Sequence, residues 1–273
     1  MLARTARATG PSWIALEERV SIPEIYEDEL SETSEFDEFI ETEWITAVLQ
    51  ELKSGKEGTV YCCRAAPRTG HDLLAVKVYR SQEHRMFHNN AVYQEGRWIG
   101  DRRLERAVAK KTKTGRSVRS DSWVSQEYNA LERLHNAGAS VPRPLARNGQ
   151  ALLMEFIGDE DGPAPLLQNA DVAKEAAVPL FRRILEEVGL WLTNGLIHAD
   201  LSPYNILVWE GQPVVIDFPQ AMDPETNPRA RELLTRDVTN VCRYFGRHGI
   251  RADAEGIAID LWRRLGPRDR WSM

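Results

Sequence analysis

The chain has 273 residues, of which 42% are hydrophobic, and its formal net charge is −6 at pH 7. This length and apolar content suffice for one domain of two lobes, and no apolar run approaches the roughly 18 residues that a membrane-spanning helix needs. No apolar stretch of signal-peptide length opens the sequence, and its three cysteines are too few for a disulfide framework. We therefore expect a cytoplasmic protein with reduced thiols and no membrane contact.

Two segments of opposite charge flank the first predicted strands. Ten acidic residues and no basic residue lie between Glu24 and Glu43, whereas residues 80–119 contain eleven Lys or Arg against four acidic residues. The acidic segment has too little apolar content to form a core, so residues 1–43 are predicted to be flexible or to lie along a basic surface. The basic segment, residues 81–120, is interpreted as an insertion that either binds nucleic-acid phosphates or is a solvated loop.

The segment between these two reads as strand, short turn, strand and strand. The turn is Ser54-Gly55-Lys56-Glu57-Gly58, and the third strand is Leu74-Ala75-Val76-Lys77-Val78-Tyr79. Because side chains alternate between the two faces of a strand, Lys77 is predicted to point its ammonium group into a cleft. By itself this pattern fits a plain β-hairpin as well as a nucleotide-binding turn.

A helix is predicted from Trp123 to His135. The apolar residues Val124, Tyr128, Leu131 and Leu134 fall on one helical stripe. Asp121 or Ser122 can cap the start of the helix, and Gly138 follows its end. Two glutamates on this helix, Glu127 and Glu132, could pair with Lys77. A solvated surface position is the ordinary alternative for either glutamate.

The apolar stretch 152–158 reads as a strand that runs into a glycine-containing acidic linker. A strand followed by such a turn can join two lobes, so we expect an N-lobe over residues 44–158 and a C-lobe over residues 159–273. At such a hinge, backbone groups near Glu155 and Ile157 would meet an adenine edge, and Met154 would wall the base pocket. A buried strand with no ligand is the alternative.

The strongest signal lies in residues 198–205 and in the strand that ends at Asp217. Asp200 lies five residues before Asn205, and Asp217 follows an apolar run twelve residues later. This order and spacing are typical of protein kinases, in which hard oxygen ligands hold Mg²⁺ against the nucleotide phosphates and a separate carboxylate orients the acceptor. Asp200 is therefore a candidate base, and Asn205 and Asp217 are candidate metal ligands.

Together these motifs resemble those of RIO-type atypical serine/threonine protein kinases, of the first RIO subfamily or a bacterial-type branch. The matching stretches are SGKEGTVY, LLAVKVY, WVSQEYNALERLHNAG, LLMEFIG, LIHADLSPYN, VVIDFPQA and LLTRDVTNVCRYF. The resemblance implies a two-lobed, protein-kinase-like α+β fold with a small N-lobe sheet plus helix. It also implies a reduced helical C-lobe, and the 56 residues after Asp217 are expected to leave no room for the usual activation segment.

The resemblance also assigns roles to single residues. It makes Asp200, Asp217 and Lys77 catalytic, with Lys77 gripping the α and β phosphates and Glu127 as its partner. Asn205 and Asp217 would hold Mg²⁺, with Mn²⁺ as the alternative ion, and His198 would hydrogen-bond the backbone of the metal loop, the segment around Asp217. The rest of the ATP site would be formed by Ser54, Gly55, Lys56, Glu57, Gly58, Val60, Ala75, Met154, Glu155 and Ile157.

Phosphorylation of protein Ser or Thr with Mg-ATP, including autophosphorylation, is the function that this resemblance implies. An ATPase switch is an alternative, because the counterpart of Asp217 in RIO proteins could become transiently phosphorylated. A second alternative is a nucleotide-gated module that binds ribosomal RNA or a ribosomal particle through residues 81–120. An aminoglycoside-type small-molecule kinase is the third, although the short stretch after Asp217 leaves little space for its substrate pocket.

Overall fold

The computed structural model of the protein describes residues 35–55, 57–80 and 113–267, with side chains described from residue 123 onward in the last range. Helix α1, Asp37–Glu41, precedes the first strand and buries Phe39, which is 2% exposed. This helix lies inside the segment that we expected to be flexible as far as residue 43. The expectation was wrong for α1, because Phe39 is buried in the core under the sheet and Phe36 packs against the same core and Tyr61.

Within the described residues, five strands form an antiparallel sheet in the order β1-β2-β3-β5-β4. Their bounds are Ile45–Ser54 (β1), Gly58–Ala65 (β2), Leu73–Tyr79 (β3), Pro144–Arg147 (β4) and Ala151–Glu155 (β5). The predicted hairpin is β1 and β2, and the predicted lysine strand is β3. The central strands β3 and β5 pair directly, which brings Ala75 opposite Met154.

Alternation along β3 distributes its side chains between two cores. Leu74 and Val76 pack with Phe39 on the outer face of the sheet. Ala75 and Tyr79 belong to the larger core on the other face. Lys77 lies two residues from each of them and therefore shares their face, where only 6% of it is exposed. The period of the strand thus directs the lysine into the interior of the molecule.

Helix α2 spans Lys113–Asn136 and is much longer than the helix predicted from Trp123 to His135. The predicted cap residues Asp121 and Ser122 lie inside it, so that prediction was wrong, and residues 113–120 are helix rather than loop. The apolar stripe begins only at Trp123, and hydrophobic periodicity cannot reveal the polar turns that precede it. Within the predicted stripe, Val124, Leu131 and Leu134 are buried and Tyr128 is partly buried.

The rest of the described chain is mainly helical. Helix α3, Lys174–Thr193, buries one apolar face and ends before Gly195, which has a positive φ of 63°. It leads to the hairpin β8–β9, Ile206–Trp209 and Gln212–Val215, and then to helices α4, Ala230–Gly246, and α5, Ala254–Leu265. A minimal hairpin, β6 (Gly158–Asp159) and β7 (Gly162–Pro163), follows the sheet. None of the described helices is long and apolar enough to cross a membrane.

Candidate active site

Lys77 lies at the centre of a network of buried charges. Its Nζ is 2.8 Å from Glu127 Oε2 on α2 and 2.6 Å from Asp217 Oδ1. Burial works to lower the pKa of Lys77, but the carboxylates of Asp217 and Glu127 outweigh it and raise that pKa well above its ordinary value. Lys77 is therefore a fixed cation that joins the sheet, α2 and the segment after β9.

Glu127 is the helical glutamate that pairs with Lys77, and it is 1% exposed. Its Oε1 also accepts a hydrogen bond from the Phe218 amide at 2.9 Å. Burial raises the pKa of Glu127 to about 7, against the lowering influence of Lys77. Glu132, the other candidate from the sequence, instead accepts a bond from Tyr128 Oη at 3.4 Å. The helix thus presents Glu127 and not Glu132 to the lysine.

The loop His198–Asn205 carries Asp200 and is held by side chains of α4. Ala199 has a left-handed φ of 65°, an uncommon conformation for a residue with a Cβ. Asp237 accepts hydrogen bonds from the amides of Ala199 at 2.7 Å and Leu201 at 3.0 Å. Arg236 and Asn240 donate to the carbonyl oxygens of the same two residues. Side chains of α4 therefore satisfy the backbone amide and the carbonyl oxygen of both Ala199 and Leu201.

His198 has the structural role expected from the sequence. It is 1% exposed, and its Nε2 lies 3.2 Å from the Ile216 carbonyl oxygen in the metal loop. Its Nδ1 accepts from the Asp200 amide at 3.3 Å, so Nε2 is the nitrogen that carries the proton and donates. Burial lowers the pKa of His198 to about 4, and the ring is therefore neutral at physiological pH. A neutral buried ring supports the loop but adds no charge to it.

Asp200, Asn205 and Asp217 are linked through the backbone. Asn205 Nδ2 donates to the Asp200 carbonyl oxygen at 2.8 Å, and the Ile216 amide donates to the Asn205 carbonyl oxygen at 2.9 Å. Burial raises the pKa of Asp200, whereas Arg236 lowers it. Asp217 has a φ of 72°, so two residues of this region other than glycine have left-handed backbone. Such conformations cluster at functional sites, where neighbouring contacts compensate for their cost.

The predicted phosphate loop is a tight hairpin end. The Gly55 amide donates to the Gly58 carbonyl oxygen at 2.9 Å, and Ser54 Oγ lies 3.2 Å from Thr59 Oγ1. A Cβ on Gly58 would lie 2.2 Å from the Val78 carbonyl oxygen, so strand packing alone requires glycine there. Lys56, which the sequence assigned to the nucleotide site, lies outside the described residues.

Of the predicted hinge residues, Met154 lies on the same face of the sheet as Lys77. Met154 is 8% exposed and belongs to the larger core together with Ala75, and Val60 packs against that core. The Glu155 amide donates to the Arg143 carbonyl oxygen, and the Ile157 carbonyl oxygen accepts from Ala164. Those two backbone groups are therefore already engaged within the protein.

Sequence reasoning missed four residues that shape this region. Asp237 and Arg236 support the Asp200 loop from α4, and no periodicity distinguishes them from other polar positions of that helix. Gln126 donates to the Ala221 carbonyl oxygen at 2.5 Å, and Gln220 donates to Glu57 Oε1 at 3.2 Å. Both glutamines connect distant parts of the chain. The signal that could have found them is their position in the sequence, because Gln126 directly precedes Glu127 and Gln220 follows Asp217 by three residues.

Comparison with known proteins identifies the family. A family model described as a RIO domain matches residues 59–257. The chain belongs to the RIO family. It is 32% identical over 206 residues to the serine/threonine-protein kinase RIO1 of Caenorhabditis elegans, a match that covers 73% of this chain and 37% of the relative. The chain thus spans little more than a third of that relative's length.

Two further comparisons agree. The RIO-type serine/threonine-protein kinase Rio1 of Thermoplasma acidophilum is 31% identical over 189 residues, which cover 69% of this chain and 93% of the relative. A crystal structure of the Rio2 kinase–ADP/Mg²⁺–phosphoaspartate complex from Chaetomium thermophilum aligns with a TM-score of 0.63 at 20% identity, over 86% of this chain and 66% of that one. The two-lobed, protein-kinase-like α+β fold that the sequence predicted is confirmed.

Proposed function

We propose that this RIO-family chain transfers the γ-phosphate of Mg-ATP to protein serine or threonine, including its own. The observation that carries the proposal is the position of Lys77 Nζ, which bridges Glu127 and Asp217 beside the loop of Asp200 and Asn205. A fixed cation among hard oxygen ligands suits a nucleotide triphosphate with its metal ion. The family relationship to proteins named as RIO-type kinases supports the same activity.

The residue roles follow from this geometry. Lys77 would bind the α and β phosphates, and Glu127 would keep its ammonium group in place. Asp200 would orient the acceptor hydroxyl and accept its proton, as a base within hydrogen-bond reach can. Its carbonyl oxygen accepts from Asn205, and α4 fixes the residues on either side of it. The residues at the turn, Ser54, Gly55, Glu57 and Gly58, would cover the phosphates.

Asn205 and Asp217 fit a magnesium ion by the chemistry of their donor atoms. The Asn205 amide nitrogen is engaged by the Asp200 carbonyl oxygen, which leaves its oxygen as the group available for a cation. Asp217 supplies a carboxylate, and Gln220 Oε1 is buried with no hydrogen-bond partner among the described residues. Mg²⁺ prefers such oxygen ligands and retains water molecules that can donate to an oxygen of this kind. When bound, the ion would neutralise phosphate charge; manganese could take the same ligands.

The base of the nucleotide would lie against Ala75, Val60 and Met154. Since the Ile157 carbonyl oxygen already accepts from Ala164, Ile157 would meet the base through its amide. Glu155 donates its amide to Arg143, so its carbonyl oxygen is the group that would accept from the base. This assignment also puts the boundary between the two lobes near residue 158. We further propose a cytoplasmic location, which the three free cysteines support.

An ATPase cycle with phosphate held transiently on Asp217 is the second candidate. It is favoured by the similarity to the Rio2 complex that contains phosphoaspartate. The ribosomal RNA partner would need residues 81–120, of which residues 81–112 lie outside the described residues. The relatives compared above are named as protein kinases and not as small-molecule kinases. We therefore retain the protein kinase and the ATPase switch.

The chemistry of the phosphate on the protein separates these two functions. The full chain is incubated with Mg-ATP labelled at the γ-phosphate, and the protein is then treated with acid or hydroxylamine. A kinase gives acid-stable label on serine or threonine. An ATPase switch gives ADP with label that hydroxylamine removes and that Asp217→Asn abolishes. If neither ADP nor labelled protein forms, both functions are contradicted.

A further inference from the structure

Glu57 lies in the phosphate loop, and its side chain contacts the opposite side of the cleft. Its Oε1 accepts a hydrogen bond from Gln220 Nε2 at 3.2 Å, and Gln220 is 7% exposed. The backbone is held at the same residue, because the Arg80 amide donates to the Glu57 carbonyl oxygen at 3.1 Å. Gln220 follows the proposed metal ligand Asp217 by three residues. The contact therefore connects the phosphate loop with the metal loop.

The Glu57 carboxylate interacts with the charges of the proposed phosphate site. Burial raises the pKa of Glu57, and Asp217 raises it further, whereas Lys77 lowers it. Asp200 acts on the same carboxylate more weakly. Among the described side chains that act on Glu57, Lys77 is the cation, and it is already shared between Glu127 and Asp217. An entering phosphate would thus meet more carboxylates than ammonium groups.

We propose that Glu57, held by Gln220, is a selectivity residue that makes the cleft prefer ATP complexed with a divalent cation to free ATP. The inference rests on the proposed nucleotide site. Like charges repel strongly in a partly desolvated cleft, and a divalent cation cancels about half of the nucleotide's negative charge. The repulsion from Glu57 is therefore about halved for the complexed nucleotide.

Gln220 has two functions in this arrangement. Its amide nitrogen keeps the Glu57 carboxylate directed at the cleft instead of at solvent. Its Oε1 has no hydrogen-bond partner within the described part of the chain, so it can accept from a water molecule of a hydrated cation. The same side chain thus holds the repelling group and offers an acceptor that only the hydrated metal complex would satisfy.

The test is the affinity of the full chain for ATP, measured by isothermal titration calorimetry in Mg²⁺ and in EDTA. Glu57→Gln removes the charge and keeps the size and the ability to hydrogen-bond Gln220. We expect Glu57→Gln to tighten ATP binding about tenfold in EDTA and about threefold in Mg²⁺. The factor is smaller in Mg²⁺ because Glu57 repels the complexed nucleotide about half as strongly as it repels free ATP. Adenosine, which has no phosphate, should bind both proteins equally.

Glu51→Gln is the matched control. Glu51 is exposed on β1 and pairs with Tyr61, which packs on the outer face of the sheet, so the same change in net charge occurs away from the cleft. Equal factors for Glu57→Gln in Mg²⁺ and EDTA would overturn the inference. Weaker ATP binding by Glu57→Gln in Mg²⁺ alone would also overturn the inference, because that result is expected if Glu57 were a metal ligand. If the wild type binds ATP in neither condition, the proposed function itself has failed.

Discussion

The loop His198–Asn205 and the predicted phosphate loop, residues 54–58, keep their shapes by different means. The backbone around Asp200 is bonded on both sides by α4, through Asp237, Arg236 and Asn240. The phosphate loop, within its described residues, is closed by its own hairpin bond and reaches the metal loop through the contact between Glu57 and Gln220. The first loop is held by side chains of a neighbouring helix, whereas the second is held by its own hairpin and by one side-chain contact to a distant segment. Catalysis requires fixed geometry at the acceptor and access at the phosphates, and the two loops match these needs.

Asp237→Ala is expected to give the largest loss of stability. It leaves the buried amides of Ala199 and Leu201 without an acceptor and removes a support of the left-handed residue. We expect a loss of roughly 2 to 5 kcal/mol in the free energy of unfolding, measured in urea. Asp237→Asn retains one acceptor oxygen and should lose less. Equal stability of wild type and Asp237→Ala would show that α4 does not hold the loop.

His198 should make stability depend on pH. Its folded pKa is about 4 and its ordinary value is 6.5, so the unfolded chain binds more protons between these values. This contribution, on the order of 3 kcal/mol, is complete above about pH 6.5 and is lost as the pH falls towards 4. His198→Gln can donate to Ile216 but cannot titrate. The stability gap between wild type and variant should therefore narrow from pH 7 to pH 5; parallel curves would contradict the buried neutral ring.

Gly58→Ala probes the phosphate loop. The new methyl group would collide with the Val78 carbonyl oxygen, so β2 and β3 must separate at their end. We expect a loss of about 1 to 3 kcal/mol in unfolding free energy, together with weaker ATP binding by calorimetry. Gly70→Ala, at a glycine with open space around it, controls for glycine replacement, although its positive φ of 72° has its own smaller cost. A stable Gly58→Ala protein would mean that the hairpin end adjusts freely.

Ala199→Gly should have the smallest effect. Glycine relieves the cost of the left-handed backbone, but it gains freedom in the unfolded chain and loses the buried methyl group of Ala199, so the contributions partly offset one another. We expect the free energy of unfolding, measured in urea, to change by no more than about 1 kcal/mol. ATP turnover should be unchanged, because the side chains of α4 hold the loop and the residue type at position 199 does not. Ala66→Gly, at a buried position with φ of −76°, should be destabilising in comparison. A large loss of turnover in Ala199→Gly would contradict the preorganised loop.

The sequence alone predicted the parts of the site that follow from local pattern. Alternation along one strand placed Lys77 on the cleft face, and the spacing of Asp200, Asn205 and Asp217 indicated the two loops. Asp237 could not be predicted in this way, because its partners are backbone amides of a distant loop. Local pattern also did not reveal that the packing of Gly58 against Val78 requires glycine independently of any part in phosphate binding. Pattern reveals faces and motifs, but contacts between distant segments need the fold.

The most direct test of the proposed phosphotransfer is the rate of ADP formation with Mg-ATP by wild type and Asp200→Asn. The substitution keeps the side-chain size and removes the base, while the loop backbone stays bonded to α4. We expect the rate to fall roughly 10²- to 10⁴-fold with unchanged unfolding free energy and unchanged ATP affinity. Equal rates in the two proteins would contradict the account, because Asp200 would then take no part in the reaction.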